Sequence, residues 1–333
     1  MPLLTKLQLV ITSDIPHGNL ELIMPPEVSA DSDWTVSYNP PRDTPCDFWI
    51  VFTTSRPADR MVCAAENTLY LAGEPPSKKI HTRSFYGQFY RVHSCHADDP
   101  HPLVQLGAPC LNWHYGLDTS THRYRISFKE LEDSPVGPKS KKVAVICSHQ
   151  RATEGQRKRL KFLETLKQEL AEDLVHFGRG FQSVDDKMEA IAPYAYHLVL
   201  ENCCIPHYWS EKLADAYLGW SYPFYVGAPN LDTYFERDSF EPLDWREPIE
   251  AAKTIRRALE EDRFATHFSA LARSRNKILH DYNLFSHCLH LAKMHYLEGR
   301  ESRQHSAHSH KAFRTFPQGT LHRLNAGVAR ILK

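Results

Sequence analysis

The sequence predicts an α/β protein, and three observations carry that prediction. Residues 196–227 read as strand, loop, helix, strand. Residues 142–227 alternate strand-like and helix-like segments throughout, the pattern of a parallel sheet with covered faces. Short apolar runs between polar, proline-rich loops add further strands before residue 133.

In the first unit, 1–133, strands are predicted at Leu7–Ile11, Phe48–Phe52 and Leu69–Ala72. The aromatic segment Phe85–Val92 is expected as another strand. Ser134-Pro135-Val136-Gly137-Pro138-Lys139-Ser140 is rich in breakers and marks a linker at 134–140. A second unit, 141–262, opens with a strand at Lys142–Cys147. A helix follows over Arg157–Glu172, with Leu160, Leu163, Leu166 and Leu170 on one side. A short strand at Val175–Phe177 and a helix at Asp185–Ala192 come next. The run Leu198–Leu200 is too short for an ordinary helix and reads as a buried strand. Beyond the Pro206 loop, Leu213, Ala216, Tyr217 and Trp220 share a helical face that stops near Gly219, and Pro223–Val226 returns as a strand.

After Trp245 the pattern turns helical, over 248–261 and most of 263–298. The segment 263–299 is expected to pack across both units. The tail, 300–333, carries Arg300, Arg303, Lys311, Arg314, Arg323, Arg330 and Lys333 against the single acid Glu301. Its HSAHSHK segment is expected to be solvated rather than metal-binding. The LHRLNAGVARIL pattern is expected to dock on the protein, with an anionic membrane surface as the alternative.

A chain of 333 residues exceeds one typical core and predicts two domains. The formal net charge of +0 argues against a nucleic-acid binder working through a broad basic field. The opening MPLLTKLQLVITSD lacks a signal-peptide core with a cleavage site, and no stretch approaches a membrane span. The 8 cysteines form no CxxC pair, which fits a reducing compartment. The expected location is therefore cytoplasmic, with peripheral contact on the inner membrane through the basic tail as the alternative.

Chemistry concentrates at the carboxyl ends of the predicted strands, where open α/β sheets bind ligands. Lys212 lies in the first turn of its helix, where the macrodipole disfavours a cation unless an anion sits on the terminus. Ser210 is the expected cap, and Glu211 offers a carboxylate for hydroxyl groups. The loop after the first strand of this unit, Ser148 to Arg159, repeats the anomaly with Arg151, Arg157, Lys158 and Arg159. Arginine suits bidentate phosphate recognition, so two such loops together would neutralise a pyrophosphate without requiring a metal. The alternative is a set of solvated cations on amphipathic helices. In the first unit Glu74 follows a strand in Leu-Ala-Gly-Glu-Pro-Pro-Ser. Pro75 forces it into an extended conformation, and a carboxylate held stiffly there suits a general base.

These pieces together resemble the α-1,3/4-fucosyltransferase family, glycosyltransferase family ten, in its soluble bacterial members. The residues that carry the resemblance are Leu200-Glu201-Asn202, the turn Tyr208-Trp209-Ser210-Glu211-Lys212, and Tyr222 to Gly227 with Pro229 and Tyr234. Phe177-Gly178-Arg179-Gly180, Asp186-Lys187 and Tyr194 add to it, and Ala72-Gly73-Glu74-Pro75-Pro76 is the main anchor in the first unit. The resemblance implies a GT-B-like architecture: two Rossmann-like domains facing a cleft, with C-terminal helices packing across them. It implies GDP-fucose or a related nucleotide sugar as donor, a glycan hydroxyl as acceptor, and an inverting α-1,3 transfer. By the same resemblance Glu74 is the catalytic base. Arg159 and Lys212 bind phosphate, and Asn202, Tyr208, Glu211, Lys187 and Arg179 line the donor side. No cofactor is required, although a divalent cation such as Mn or Mg could stimulate turnover. The alternatives are transfer of another sugar, or a sugar-binding member without turnover. His149, Cys203 and the glycine-free loop Ile205-Pro206-His207 depart from the family's pattern.

Overall fold

The computed structural model describes residues 6–16, 18–110 and 112–313. Its first part includes the strands β1 (Leu7–Thr12), β2 (Trp34–Tyr38), β3 (Phe48–Phe52), β4 (Asp59–Ala64), β5 (Thr68–Leu71), β6 (Arg91–Ser94) and β7 (Val104–Leu106). All but β4 join one sheet in the order β2-β1-β3-β5-β6-β7, and every pairing is parallel. The FWIVF sequence of β3 is buried along its whole length, as befits a strand covered on both faces.

The strand expected over Phe85–Val92 is not formed as such. Thr82 caps a helical turn at Arg83–Tyr86 by accepting the Phe85 N–H, and pairing begins only at Arg91. Phe85, Tyr86 and Phe89 gather instead around the buried Tyr70 ring. Aromatic packing on one side of the sheet overrides local strand propensity here.

A second parallel sheet follows in the order β9-β8-β10-β11-β12, from β8 (Ser140–Ile146), β9 (Leu174–Phe177), β10 (Tyr194–Leu200), β11 (Tyr222–Val226) and β12 (Glu241–Pro242). The α/β class expected from the sequence is the class observed. Two helices bear on the site, α1 (Glu154–Leu170) and α2 (Glu211–Leu218). A capping box starts α1 ahead of the predicted Arg157: Thr153 accepts the Gln156 N–H at 3.2 Å, and Gln156 accepts the Thr153 N–H at 3.0 Å. Ser210 caps α2 and Gly219 ends it, as expected. The helix predicted over Asp185–Ala192 shrinks to Met188–Ile191. The Asp186 carboxylate accepts the N–H groups of both Met188 (2.9 Å) and Gly116 (3.0 Å), so it closes the helix start and ties a distant loop.

Three longer helices close the second part: α3 (Pro248–Glu260), α4 (Phe268–His280) and α5 (Leu284–His295). The helical stretch expected over most of 263–298 is divided at Asn283, whose buried amide accepts the Phe285 N–H (2.9 Å) and donates to the Ile23 carbonyl (2.8 Å). The break turns the chain, so that α4 packs on α2 while α5 packs on β1 and β2. One apolar cluster accordingly includes Leu9 and Phe52 of the first sheet, Val199 of the second, and Leu213 and Phe285 of the helices. No helix among the described residues is long and apolar enough to cross a membrane.

The start of the tail corrects its reading as a solvated stretch. Strand β13 (Ser302–Ala307) pairs antiparallel with β4, and Gln88 and the His308 backbone exchange two hydrogen bonds of 2.6 and 3.2 Å. Pairing gives β4 a partner along an edge that would otherwise present unpaired backbone groups. No group of three or more metal-ligating side chains forms among the described residues. The LHRLNAGVARIL segment lies outside them.

Candidate active site

Strands β8 and β10 point their carboxyl ends at the N-termini of α1 and α2, and a cavity of about 350 Å³ opens there. The junction is tight. A Cβ on Gly155, in the first turn of α1, would lie 1.9 Å from the Asn202 carbonyl oxygen. Gly155→Ala is therefore expected to destabilise the fold by about 1–3 kcal/mol, because backbone on both sides must move. Chemical denaturation at unchanged m-value is the check.

The sequence-predicted site residues divide cleanly. Arg159, Asn202, Glu211, Lys212 and Lys187 all line the cavity. Tyr208 and Glu74 line a second hollow of about 190 Å³. The two hollows share Lys78, His114, Asn202, Glu211 and Lys212, so they lie side by side. Arg179 is exposed and lines neither; only its backbone is engaged, accepting the His149 N–H at 3.1 Å. The remaining cations of the 148–159 loop also miss the cavity. Arg151 pairs with Glu164, Lys158 pairs with Glu154, and Arg157 donates to the carbonyls of Arg151 and Ala152.

Lys212 is where the expectation from the helix dipole changes most. Its ammonium lies 3.3 Å from Glu201, 3.1 Å from Glu211 and 2.9 Å from the Ser210 hydroxyl. The anion that the dipole argument called for is thus supplied by the protein itself. Burial opposes the Lys212 charge, but Glu201 and Glu211 outweigh it and raise its pKa. Burial likewise opposes the Glu211 charge, yet Lys212 and Lys187 hold its carboxyl well below the usual range. Both groups are charged at neutral pH.

Arg159 differs from the other three cations of the cavity. Lys78 pairs with Glu74, Lys187 with Asp215 and Lys212 with Glu201 and Glu211. Arg159 is 7% exposed, donates once to the Leu200 carbonyl (3.1 Å), and its Nε is buried without a partner. No carboxylate among the described residues forms an ion pair with it. A nearly buried guanidinium with unused donors is a standing site for an anion.

Four contributors escaped the sequence reading. Glu201 is fully buried and accepts both the N–H and the hydroxyl of Ser210 at 2.8 Å, which fixes the turn into α2. Asp215 lies one turn beyond Glu211; its buried carboxylate accepts the N–H groups of His114 and Tyr115 (2.7 and 2.8 Å) and the Lys187 ammonium (2.6 Å). That spacing of four from Glu211 was the available signal. His114 belongs to both hollows, and His197, pushed down to about 3 by burial, adds a neutral ring to the first. The loop that lacks the family's glycine adopts the backbone a glycine would favour: His207 has φ of 66°. Asn230 accepts its N–H at 2.8 Å and the Tyr234 hydroxyl meets its ring at 2.6 Å, which hold it there.

The sequence model for the C-terminal part of Glycosyltransferase family 10 (fucosyltransferase) matches residues 136–306, over half the chain. The chain belongs to glycosyltransferase family 10. The family 10 assignment makes it a glycosyltransferase and covers both helix N-termini and the Asn202–Lys212 segment described above. An α1,3-fucosyltransferase crystallised with GDP is similar at 16% identity, covering 90% of this chain and 94% of that one with a TM-score of 0.50. The same kind of enzyme with GDP-fucose is similar at 16% identity over 92% and 88%, with a TM-score of 0.45. At such identity the first likeness bears on the fold, which is shared along nearly the whole of this family 10 chain. No curated protein sequence matches.

Proposed function

We propose that this glycosyltransferase moves fucose from GDP-fucose to a glycan hydroxyl, forming an α-1,3 linkage with inversion. The observation that carries the reading is Arg159, a nearly buried cation without a carboxylate partner, in a cavity that shares its wall with the hollow of Glu74. An α1,3-fucosyltransferase of similar fold was crystallised with GDP, and a diphosphate is the kind of anion that would match the cation left unpaired in this cavity among the described residues.

On this reading Glu74 takes the proton from the acceptor hydroxyl as its oxygen bonds to the anomeric carbon. The bond from that carbon to the β-phosphate oxygen breaks on the opposite face, and the electron pair leaves with GDP. Negative charge therefore grows on the diphosphate, where Arg159 and Lys212 are held before the reaction begins. Glu201 and Glu211 keep Lys212 charged and oriented, while Asn202, Tyr208 and Lys187 shape the wall. Residues 1–133 would carry the acceptor and 141–262 the donor, with 134–140 as linker. These steps require no cofactor, although a divalent cation such as Mn or Mg could stimulate turnover.

Arg159→Ala is expected to weaken GDP about 10- to 100-fold by calorimetry, the equivalent of a lost charge-assisted hydrogen bond of about 1.5–3 kcal/mol. Unchanged affinity would place the diphosphate elsewhere. The sugar is tested separately. Purified protein should release GDP from GDP-fucose in the presence of a glycan acceptor, and faster than from GDP-mannose or from UDP-sugars; equal rates would overturn fucose.

A further inference from the structure

The pair Glu74–Lys78 joins a carboxylate of the second hollow to an ammonium that lines both. Its oxygen and nitrogen lie 2.7 Å apart, with side chains 30% and 56% exposed. Lys78 lines both hollows, whereas Glu74 lines only the second. The two residues sit four apart on a tight turn closed by the Lys78 N–H donating to the Pro75 carbonyl (2.9 Å). The turn is pinned at its far end, because the Lys79 ammonium donates to the Thr53 carbonyl at 3.2 Å. Lys78 itself makes no such anchor.

We propose that Lys78 is a movable latch which couples donor binding to release of the base. With the first cavity empty, the Lys78 ammonium pairs with Glu74, the one carboxylate it meets among the described residues. A diphosphate seated there supplies a competing anion. Lys78 then exchanges a carboxylate oxygen for a phosphate oxygen, and Glu74 is left free to accept a proton from the acceptor. An ion pair this exposed holds little energy, so the exchange is easy. The consequence is order: the base becomes available once the donor is seated, which limits contact between a free carboxylate and water beside an empty site. The coupling is reciprocal by linkage, so whatever frees Lys78 from Glu74 must tighten diphosphate binding. This inference rests on reading the first cavity as the diphosphate site and Glu74 as the base.

The test is a double-mutant cycle read by calorimetry with GDP alone. Glu74→Gln should tighten GDP about 3- to 10-fold, because Lys78 no longer has to leave a carboxylate. Lys78→Met should weaken it about 10-fold. The double variant should match Lys78→Met, since without the ammonium the Glu74 charge has nothing to compete for. Unchanged GDP affinity in Glu74→Gln, or equal tightening with and without Lys78, would overturn the latch. Failure of the underlying reading shows elsewhere: the diphosphate site is judged by Arg159→Ala and the base by transfer rates, neither of which enters the cycle.

Discussion

Glu74→Gln is expected to lower transfer to a glycan acceptor by about 10²- to 10⁴-fold, the range assigned to a positioned general base. The amide is nearly the same shape, so the second hollow keeps its walls. What disappears is the oxygen able to take the acceptor proton. Donor affinity must not fall in the same variant, because Glu74 lines the hollow beside the diphosphate cavity and not that cavity. The measurement is turnover at saturating GDP-fucose together with GDP affinity by calorimetry. Turnover close to wild type would move the base to another group, and His114 would be the first to examine, since it belongs to both hollows.

Glu201→Ala is expected to destabilise the protein by about 3–5 kcal/mol, the effect of removing one partner from a buried ion pair. The carboxylate is fully buried and serves three donors: the Ser210 N–H, the Ser210 hydroxyl and the Lys212 ammonium. Without it the cap of α2 loses its fixed position and Lys212 keeps Glu211 alone as a charged neighbour. A native domain has only about 5–15 kcal/mol in reserve, so this single change should lower the denaturation midpoint severely. Glu201→Gln retains an acceptor for Ser210 while discarding the charge, and a smaller loss is expected there. If alanine leaves the midpoint in place, the Glu201–Ser210–Lys212 cluster does not hold the turn.

How much of this was legible in the chain depends on how local each cause is. β3, β10 and β11 announce themselves as short apolar runs, and α2 as an amphipathic segment between Ser210 and Gly219. Their burial follows from composition alone. Phe85–Val92 misled because aromatic residues suit a strand and a packed helical turn equally well, and only the Tyr70 ring beneath them selects the turn. The tail misled for a related reason. Ser302–Ala307 has mostly exposed side chains, so no apolar pattern marks it, yet its backbone pairs with β4 from the far end of the sequence.

The site shows the same division. Lys212 was visible as a misplaced cation, and the sequence rightly demanded a negative partner. It did not show that Glu201 and Glu211 already meet that demand, because the closing distances run across a loop. Arg159 stood among four cations of one loop, and the helix-dipole argument did not separate it from Arg151, Arg157 and Lys158; only the family resemblance singled it out. Helical phase and the packing of α1 on the second sheet bury it alone, facing Leu200. Family, class of fold and the set of chemical groups were therefore written in the order of residues, since periodicity and motif spacing are short-range properties. Which charges meet each other, and which one is left wanting an anion, was decided only by the folded chain, because electrostatic partnership depends on distance through space and on exclusion of water.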